Sequence, residues 1–230
     1  MVEKKSHFGS SFFEFLRELT ANNNREWFNA NKERYIDEVR TPLQQFVLDF
    51  GPHLRKISPH FIADPRLIGG SVFRVYRDIR FSKDKTPYKT HAAAQFRHTA
   101  GKDAHAPCFY LHLSPDEVFA GFGIWQPDSP SLLNIRNSIV DKSDEWKKVV
   151  KGKNFKSKCS MTGASLKRPP RGFDPDHPFI EDLKRKDFVS QINFTLQEAS
   201  SSSFMDKYIK ACKTGVPFVK FLIKALGLKF

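Results

Sequence analysis

The order of the sequence patterns constrains the fold more than any other feature of this chain. Short aromatic or β-branched segments, separated by turn residues, occupy the middle third, and amphipathic helical patterns lie before and after them. Because the strand patterns follow one another instead of alternating with helices, they predict an α+β fold. We expect an antiparallel sheet of about four to six strands, flanked by N-terminal and C-terminal helices.

Four segments have the pattern of consecutive strands, and a fifth follows near residue 190: SVFRVY, HAAAQFRH, CFYLHL, EVFAGFGIW and KDFVSQINFTL. In CFYLHL the alternation sends Phe109, Leu111 and Leu113 inward, and Tyr110 and His112 outward.

Two glycines of the next strand, Gly121 and Gly123, leave a bare patch on one of its faces. We expect a helix to cover this patch, with a closely approaching ligand as the alternative.

Helix boundaries are indicated by capping residues and prolines. Ser11 and Glu14 have the spacing of a capping box, and Thr41-Pro42 marks a second helix start. Gly51-Pro52 and Ser58-Pro59 predict the end of that helix. We expect the C-terminal helix to break near 215–217, where a glycine and a proline stand close together.

Size and composition favour one domain over residues 1–230, since 40% hydrophobic residues and 23 phenylalanines can form a substantial core. No apolar run reaches the roughly 18 residues of a membrane helix, and charged residues interrupt the N-terminus where a signal peptide would be apolar. We therefore expect a cytoplasmic protein with no membrane association. The three cysteines, Cys108, Cys159 and Cys212, are too far apart for a zinc site, and we expect reduced thiols.

The signatures of the commonest enzyme classes are absent from the sequence. It has no P-loop, no glycine-rich dinucleotide fingerprint, no HExxH and no nucleophile-elbow serine. No cofactor is therefore indicated. Whether the protein is an enzyme, and what its oligomeric state is, stay open.

Four histidines recur every seven residues, at His91, His98, His105 and His112. Seven is an odd number, so neighbouring members would face opposite sides of one strand, and no pair has the spacing of a metal site. We predict no metal. His91 stands out because it follows a strongly basic stretch, where it could act as a proton donor or shuttle.

That stretch, residues 74–91, reads RVYRDIRFSKDKTPYKTH and holds six cations and two aspartates. If it continued the preceding strand, Arg77 would share a face with apolar residues and would need Asp78, Asp84 or a distant carboxylate as a partner. Alternatively, the strand ends at Tyr76 and the chain turns away. The charges then form either a network of salt bridges that fixes a loop, or a site for an anion.

The stretch also carries a motif, which we call RDxRF-DK-Y, formed by Arg74, Arg77-Asp78, Arg80-Phe81, Asp84-Lys85 and Tyr88. It resembles the signature of the domain-of-unknown-function family 2461. Further similarity lies in YKTHAAAQFRH, FYLHLSPDEVFAGFGIWQPD and LKRPPRGFDPDHPFIEDLKRKDF, so the resemblance covers nearly the whole chain from the first helix onward. It implies a single domain, and it assigns no reaction, substrate or cofactor.

The first functional hypothesis is a pocket for a phosphorylated or other anionic small molecule, because arginine forks suit phosphate geometry. Its predicted ligand-binding residues are Arg74, Arg77, Asp78, Arg80, Asp84, Lys85, Tyr88, Lys89 and His91. A catalytic version would need a general acid or base, for which His91, Asp84 and Asp176-His177 are the candidates.

The alternative is a nucleic-acid-binding or protein-interaction module. The chain has a net charge of +13, and segment 147–171 contains nine Lys or Arg and no acid. Such a segment can bind nucleic acid weakly and without sequence preference, or it can simply be a solvated helix end and loop. We favour the anion pocket because residues 74–91 mix charges of both signs instead of forming a uniform basic stripe.

Overall fold

The computed structural model describes residues 6–101 and 106–230. Its centre is one five-stranded antiparallel sheet with the order β1-β2-β3-β5-β4. The strands are β1 (Ala92–Arg97), β2 (Cys108–Leu113), β3 (Val118–Ile124), β4 (Ser160–Thr162) and β5 (Phe188–Phe194). Helices lie at both ends of the chain, so the predicted α+β fold is confirmed.

Before the sheet, the helices are α1 (Ser10–Ala21), α2 (Arg25–Ala30), α3 (Lys32–Arg34), a π-helical turn (Tyr35–Arg40) and α4 (Thr41–Ile57). The later ones are α5 (Ser129–Asp141), α6 (Ser143–Val150), α7 (Lys153–Lys158), α8 (Ile180–Leu183), α9 (Leu196–Ala199) and α10 (Phe204–Ala225). Segment 147–171 thus spans the end of α6, all of α7 and strand β4, which the sequence patterns did not reveal.

One face of the sheet, the inner face, packs against α4 and α10. Phe96 of β1 meets Phe50 of α4 edge to face, with 4.7 Å between ring centroids. In α10, Gly215 lies so close to Phe122 that an added Cβ would be 2.5 Å from its ring. As predicted, Phe109, Leu111 and Leu113 are buried on this side. Tyr110 and His112 point to the opposite side, which we call the outer face.

Tertiary packing overrides several predicted helix signals. Gly9 precedes α1 without a side-chain cap, so the predicted capping box of Ser11 and Glu14 is wrong. Helix α4 begins at Thr41 and ends at Ile57, just before Ser58-Pro59, as predicted. It continues through Pro52, however, and α10 continues through Pro217, so the helix ends predicted at these two prolines are wrong. Buried residues lie on both sides of each proline, and their burial offsets the cost of the missing backbone hydrogen bond.

The segment SVFRVY does not form a strand, contrary to prediction. It approaches β1 only through an isolated bridge between Val72 and Ala94, and a second bridge joins Tyr76 to Tyr88. After Tyr76 the chain turns away from the sheet, as the second interpretation expects, and Phe81 is 95% exposed.

The two glycines of β3 have different neighbours. The ring of Tyr110, not a helix, lies over Gly121, where an added Cβ would be 3.3 Å from the Tyr110 side chain. Gly123 has a φ of +118°, and an added Cβ there would lie 2.0 Å from the Phe188 carbonyl oxygen and 2.9 Å from Phe218 of α10. The expectation of a covering helix is therefore wrong at Gly121 and holds at Gly123.

The cysteines Cys108, Cys159 and Cys212 carry free thiols, as expected. Over the described ranges, the helices are all too short or too polar to cross a membrane. That residues 1–230 form a single domain stays a prediction.

Candidate anion-binding site

The tip of the motif loop, residues 74–91, is held by Arg77. Its guanidinium donates hydrogen bonds to the Asp84 carboxylate and to the hydroxyl of Thr86, and a further one of 3.2 Å to the Thr86 carbonyl. The Thr86 backbone N–H donates to Asp84 at 2.9 Å, and these bonds lower the pKa of Asp84 to about 2. Asp84 is thus the partner that the sequence requires for Arg77.

A second ion pair lies further out on the same loop. Arg80 donates to Asp78 at 2.9 and 2.7 Å, and this pairing lowers the pKa of Asp78 to about 2. The side chains are 77% and 61% exposed. Lys85 donates to the carbonyl of Ile79 at 3.0 Å. These cations therefore have partners within the loop.

Tyr88 fixes the loop to the N-terminal helices. Its ring is buried and stacks on Phe28 with 4.1 Å between centroids. Its carbonyl accepts a hydrogen bond of 2.9 Å from the Asn23 side chain, and its backbone N–H donates one of 3.1 Å to the same amide. Tyr88 is therefore an anchor of the loop and is not placed as an exposed ligand donor.

Three of the predicted residues, Arg74, Lys89 and His91, lie at the base of the loop, and the His91 ring contacts His112 on the outer face of the sheet. Arg74 is exposed, whereas Lys89 and His91 are half-buried. The ammonium group of Lys89 lies 5.0 Å from the centre of the Phe73 ring. Among the described residues, neither Arg74 nor Lys89 has a carboxylate at ion-pair distance.

The positive groups at the base of the loop influence one another. Burial lowers the pKa of Lys89, and the charge of Arg74 lowers it further. Burial likewise lowers the pKa of His91, with a smaller contribution from Lys89. Each cation therefore destabilises its neighbour, a situation that a bound anion would relieve.

The His91 ring contacts a cluster of aromatic residues on β2 and β3. Its ring lies 4.5 Å from that of His112, which stacks on Phe119 at 4.7 Å with an angle of 6° between the planes. The Tyr110 hydroxyl lies 3.2 Å from His112 Nδ1, and Glu117 Oε1 lies 3.7 Å from Nε2. Burial, with a smaller contribution from His91, lowers the pKa of His112 to about 4. At neutral pH the His112 ring is therefore uncharged.

The sequence contained the signal for this cluster, because the alternation in CFYLHL sends Tyr110 and His112 to the outer face. It could not show that Phe119 and His91 meet them there. That meeting depends on the register, in which His112 is paired with Ala93 of β1 and with Phe119 of β3.

The remaining histidines of the seven-residue series serve other purposes or lie outside the described residues. His98 is buried, accepts a hydrogen bond of 3.1 Å from the Ala100 N–H and bonds the Lys229 carbonyl at 2.7 Å. His105 lies outside the described residues. Within the described part of the chain, His, Cys, Asp and Glu side chains form no group of three or more that could hold a metal ion.

Asp176-His177, the other predicted acid–base candidate, is not joined to the motif by any hydrogen bond between described residues. His177 accepts from the Phe179 N–H at 3.1 Å and lies 3.4 Å from the Ser143 hydroxyl. The pair belongs to the turn before α8.

The basic segment 147–171 forms part of a separate open concavity. Its cavity of about 480 Å³ is lined by Asp144, Lys147, Lys148, Lys151 and Gly152. The Lys151 ammonium lies 5.4 Å from the centre of the Phe179 ring. Three lysines of this segment, Lys147, Lys148 and Lys151, are thus grouped at the end of α6, away from the motif loop in the sequence.

A model of the conserved hypothetical protein family DUF2461 matches residues 11–221. The chain belongs to this family. The match includes the whole motif loop, the outer-face cluster and the basic segment of the DUF2461 chain. No curated protein matches the chain, so the family description adds no reaction or ligand to the geometry.

Proposed function

We propose that this DUF2461 protein binds an anionic, phosphate-bearing small molecule at the base of the motif loop. Arg74 and Lys89 supply the positive charge, and His91 supplies a hydrogen-bonding imidazole at the edge of the sheet. The observation that carries the proposal is Lys89, a half-buried lysine that has no acidic partner among the described residues and stands beside Arg74.

A cation without an acidic partner costs stability at a partly buried position, because burial disfavours its charged form. The Phe73 ring, 5.0 Å from the Lys89 ammonium, offsets only part of this cost, since the pKa of Lys89 is still lowered. Fold stability alone would be better served by a neutral residue at position 89. A ligand that carries negative charge removes this cost, and a charge-assisted hydrogen bond is stronger where water is partly excluded. A lysine in this setting is therefore a marker of a binding site.

The other predicted residues support the site indirectly. Arg77 with Asp84, and Arg80 with Asp78, hold the loop in shape. Tyr88 and Asn23 fix its second arm to the N-terminal helices. The loop thereby positions Lys89 next to β1. The proposal concerns binding and does not require a reaction.

Isothermal titration calorimetry with inorganic phosphate tests this proposal. Lys89→Gln should weaken binding by about tenfold or more, the loss expected for one charge-assisted hydrogen bond. Lys85→Gln is the matched control, since it removes the same charge from the same loop, where Lys85 donates only to a carbonyl. Equal losses in the two variants, or no heat with the wild type, would contradict the proposal.

A second candidate function is weak nucleic-acid binding by segment 147–171. The observation in its favour is that Lys147, Lys148 and Lys151 line one concavity together with a single acid, Asp144. Exposed lysines grouped in this way attract phosphates without sequence preference. A cytoplasmic location is consistent with both candidates and stays a prediction.

A further inference from the structure

The outer face of the sheet changes in chemical character from one edge towards the other. At the β1 edge stand Lys89 and His91. The middle strands carry Tyr110, His112 and Phe119, whose rings contact one another. On β5, Asn193 is paired with Phe119 and Gln191 with Gly121. The face therefore runs from cationic through aromatic to amide.

Tyr110 forms the floor of the aromatic part. Because Gly121 has no side chain, the Tyr110 ring can lie directly over its backbone, at 3.3 Å from the position of an added Cβ. The Tyr110 ring is half-buried, and burial raises the pKa of its hydroxyl. Phe73 meets the Tyr110 ring edge to face at 6.1 Å, on the side where Lys89 stands. Tyr110 is thus a partly exposed ring that Phe73 links to the positive charge of Lys89.

The amide part offers hydrogen-bonding groups in a definite order. Gln191 Nε2 donates to Asn193 Oδ1 at 2.9 Å. This bond uses one donor of Gln191 and the acceptor of Asn193, so the Gln191 oxygen remains as an acceptor and the Asn193 nitrogen as a donor. Between described residues, these two atoms make no hydrogen bond. An acceptor and a donor side by side match the polar edge of a nucleobase.

We propose that the anionic ligand is a nucleoside monophosphate bound across the outer face. Its phosphate lies at Lys89 and Arg74, its base stacks on Tyr110, and the edge of the base faces Gln191 and Asn193. This inference rests on the proposed function, since it assigns the phosphate to the same cations. From β1 to β5 the strip covers three strand spacings, about 14 Å, which suits one extended nucleotide.

The distribution of charge favours a single nucleotide over a nucleic-acid strand. Sites that bind strands follow the backbone with a continuous positive groove. Here the cations of the proposed site stand at the β1 end, and the outward strand residues of β5 and β4 are uncharged: Val189, Gln191, Asn193, Ser160 and Thr162. A ligand with one phosphate at one end fits this pattern.

The experiment compares three probes by calorimetry at constant ionic strength: inorganic phosphate, ribose 5-phosphate and adenosine monophosphate. Adenosine monophosphate should bind about tenfold or more tightly than ribose 5-phosphate, because stacking of a base on an aromatic side chain contributes that much. Equal affinities for both probes would overturn the inference and leave the proposed function standing. Absence of binding by all three would overturn the proposed function itself.

Three variants test whether the base stacks on Tyr110. Tyr110→Leu should abolish the preference for adenosine monophosphate while ribose 5-phosphate still binds. Tyr110→Phe is the matched control, since it keeps the ring and loses only the hydroxyl near His112, and it should retain the preference. Phe119→Leu, a second change in the same cluster, should reduce the preference and serves if Tyr110→Leu does not fold.

Retention of the preference in both leucine variants would contradict the stacking site. A single-stranded oligonucleotide that binds tenfold more tightly than adenosine monophosphate, and that loses this affinity in Tyr110→Leu, would contradict the choice of a mononucleotide.

Discussion

Asn23 and Tyr88 are joined by two hydrogen bonds across 65 positions of sequence, one to each backbone polar group of Tyr88. The side-chain amide of Asn23 thus pairs with the backbone N–H and C=O of Tyr88, as the backbone of a neighbouring strand would. Because this arm leads directly into Lys89 and β1, the pair couples the first helical region to the proposed site.

We predict that Asn23→Ala lowers the free energy of unfolding by about 1–3 kcal/mol, since it leaves the N–H and C=O of Tyr88 without their partner. Urea denaturation measures this change. Asn154→Ala, at an exposed position in α7, is the control and should change stability by no more than about 0.5 kcal/mol. Equal effects of the two changes would argue against an anchoring role for Asn23.

Arg77→Ala should lower the melting temperature measurably, because Arg77 joins Asp84 and Thr86 across the loop. Arg80→Ala removes the more exposed of the two loop ion pairs and should leave the melting temperature nearly unchanged, as expected for a surface pair. Differential scanning calorimetry of both variants decides this. An unchanged melting temperature for Arg77→Ala would show that the pair does not stabilise the fold.

Stability should fall in mildly acidic solution because of His112. Its pKa is lowered from an ordinary 6.5 to about 4 by burial and by His91. The unfolded chain therefore binds more protons than the folded one between these values, and stability is lost as the pH falls from about 6.5 towards 4. The loss should be on the order of 2–3 kcal/mol.

Urea denaturation between pH 4 and 7.5 measures the slope of the unfolding free energy against pH. His91, Tyr110 and Glu117 face the His112 ring, and His91, whose pKa is also lowered, adds to the slope. His112→Gln should make the curve flatter. A variant curve as steep as that of the wild type would rule out His112 as its main source.

Most strands of the sheet were predicted well from the sequence, but the segment that runs beside β1 was not, and the reasons are physical. Alternation of apolar and polar residues showed which side of β2 is buried, because that pattern is local. The segment around Val72 has strand-like residues, but it approaches β1 through an isolated bridge only. Proline is typical of helix ends, but Pro52 and Pro217 both lie inside helices, because burial of the surrounding apolar residues stabilises the helix there.

The candidate site was only partly predictable. Charge density pointed to residues 74–91 as a candidate site, which stays a prediction, and the pairing of Arg77 with Asp84 was among the expected alternatives. Which cations lack a carboxylate partner depends on where the loop turns. The residue types do not reveal the position of that turn. The contact between His91 and His112 depends on strand register, so it could not be predicted from the sequence either.

For segment 147–171 we predict weak nucleic-acid binding that collapses between about 50 and 200 mM salt, because it rests on release of counterions. Fluorescence anisotropy with a single-stranded oligonucleotide measures it. A double change of Lys147 and Lys151 to Gln should weaken binding more than the same change at Lys210 and Lys213, two exposed lysines of α10. Tight binding that tolerates salt or selects a sequence would contradict this prediction.

The central claim, that phosphate binds at the base of the motif loop, is tested most directly by titrating inorganic phosphate while the histidine ring signals are followed by NMR at constant ionic strength. His91 lies beside Lys89, whereas His177 belongs to the turn before α8. We predict a saturable shift of the His91 ring signals and none for His177. Unchanged His91 signals, or equal and unsaturable shifts of both histidines, would contradict the proposal.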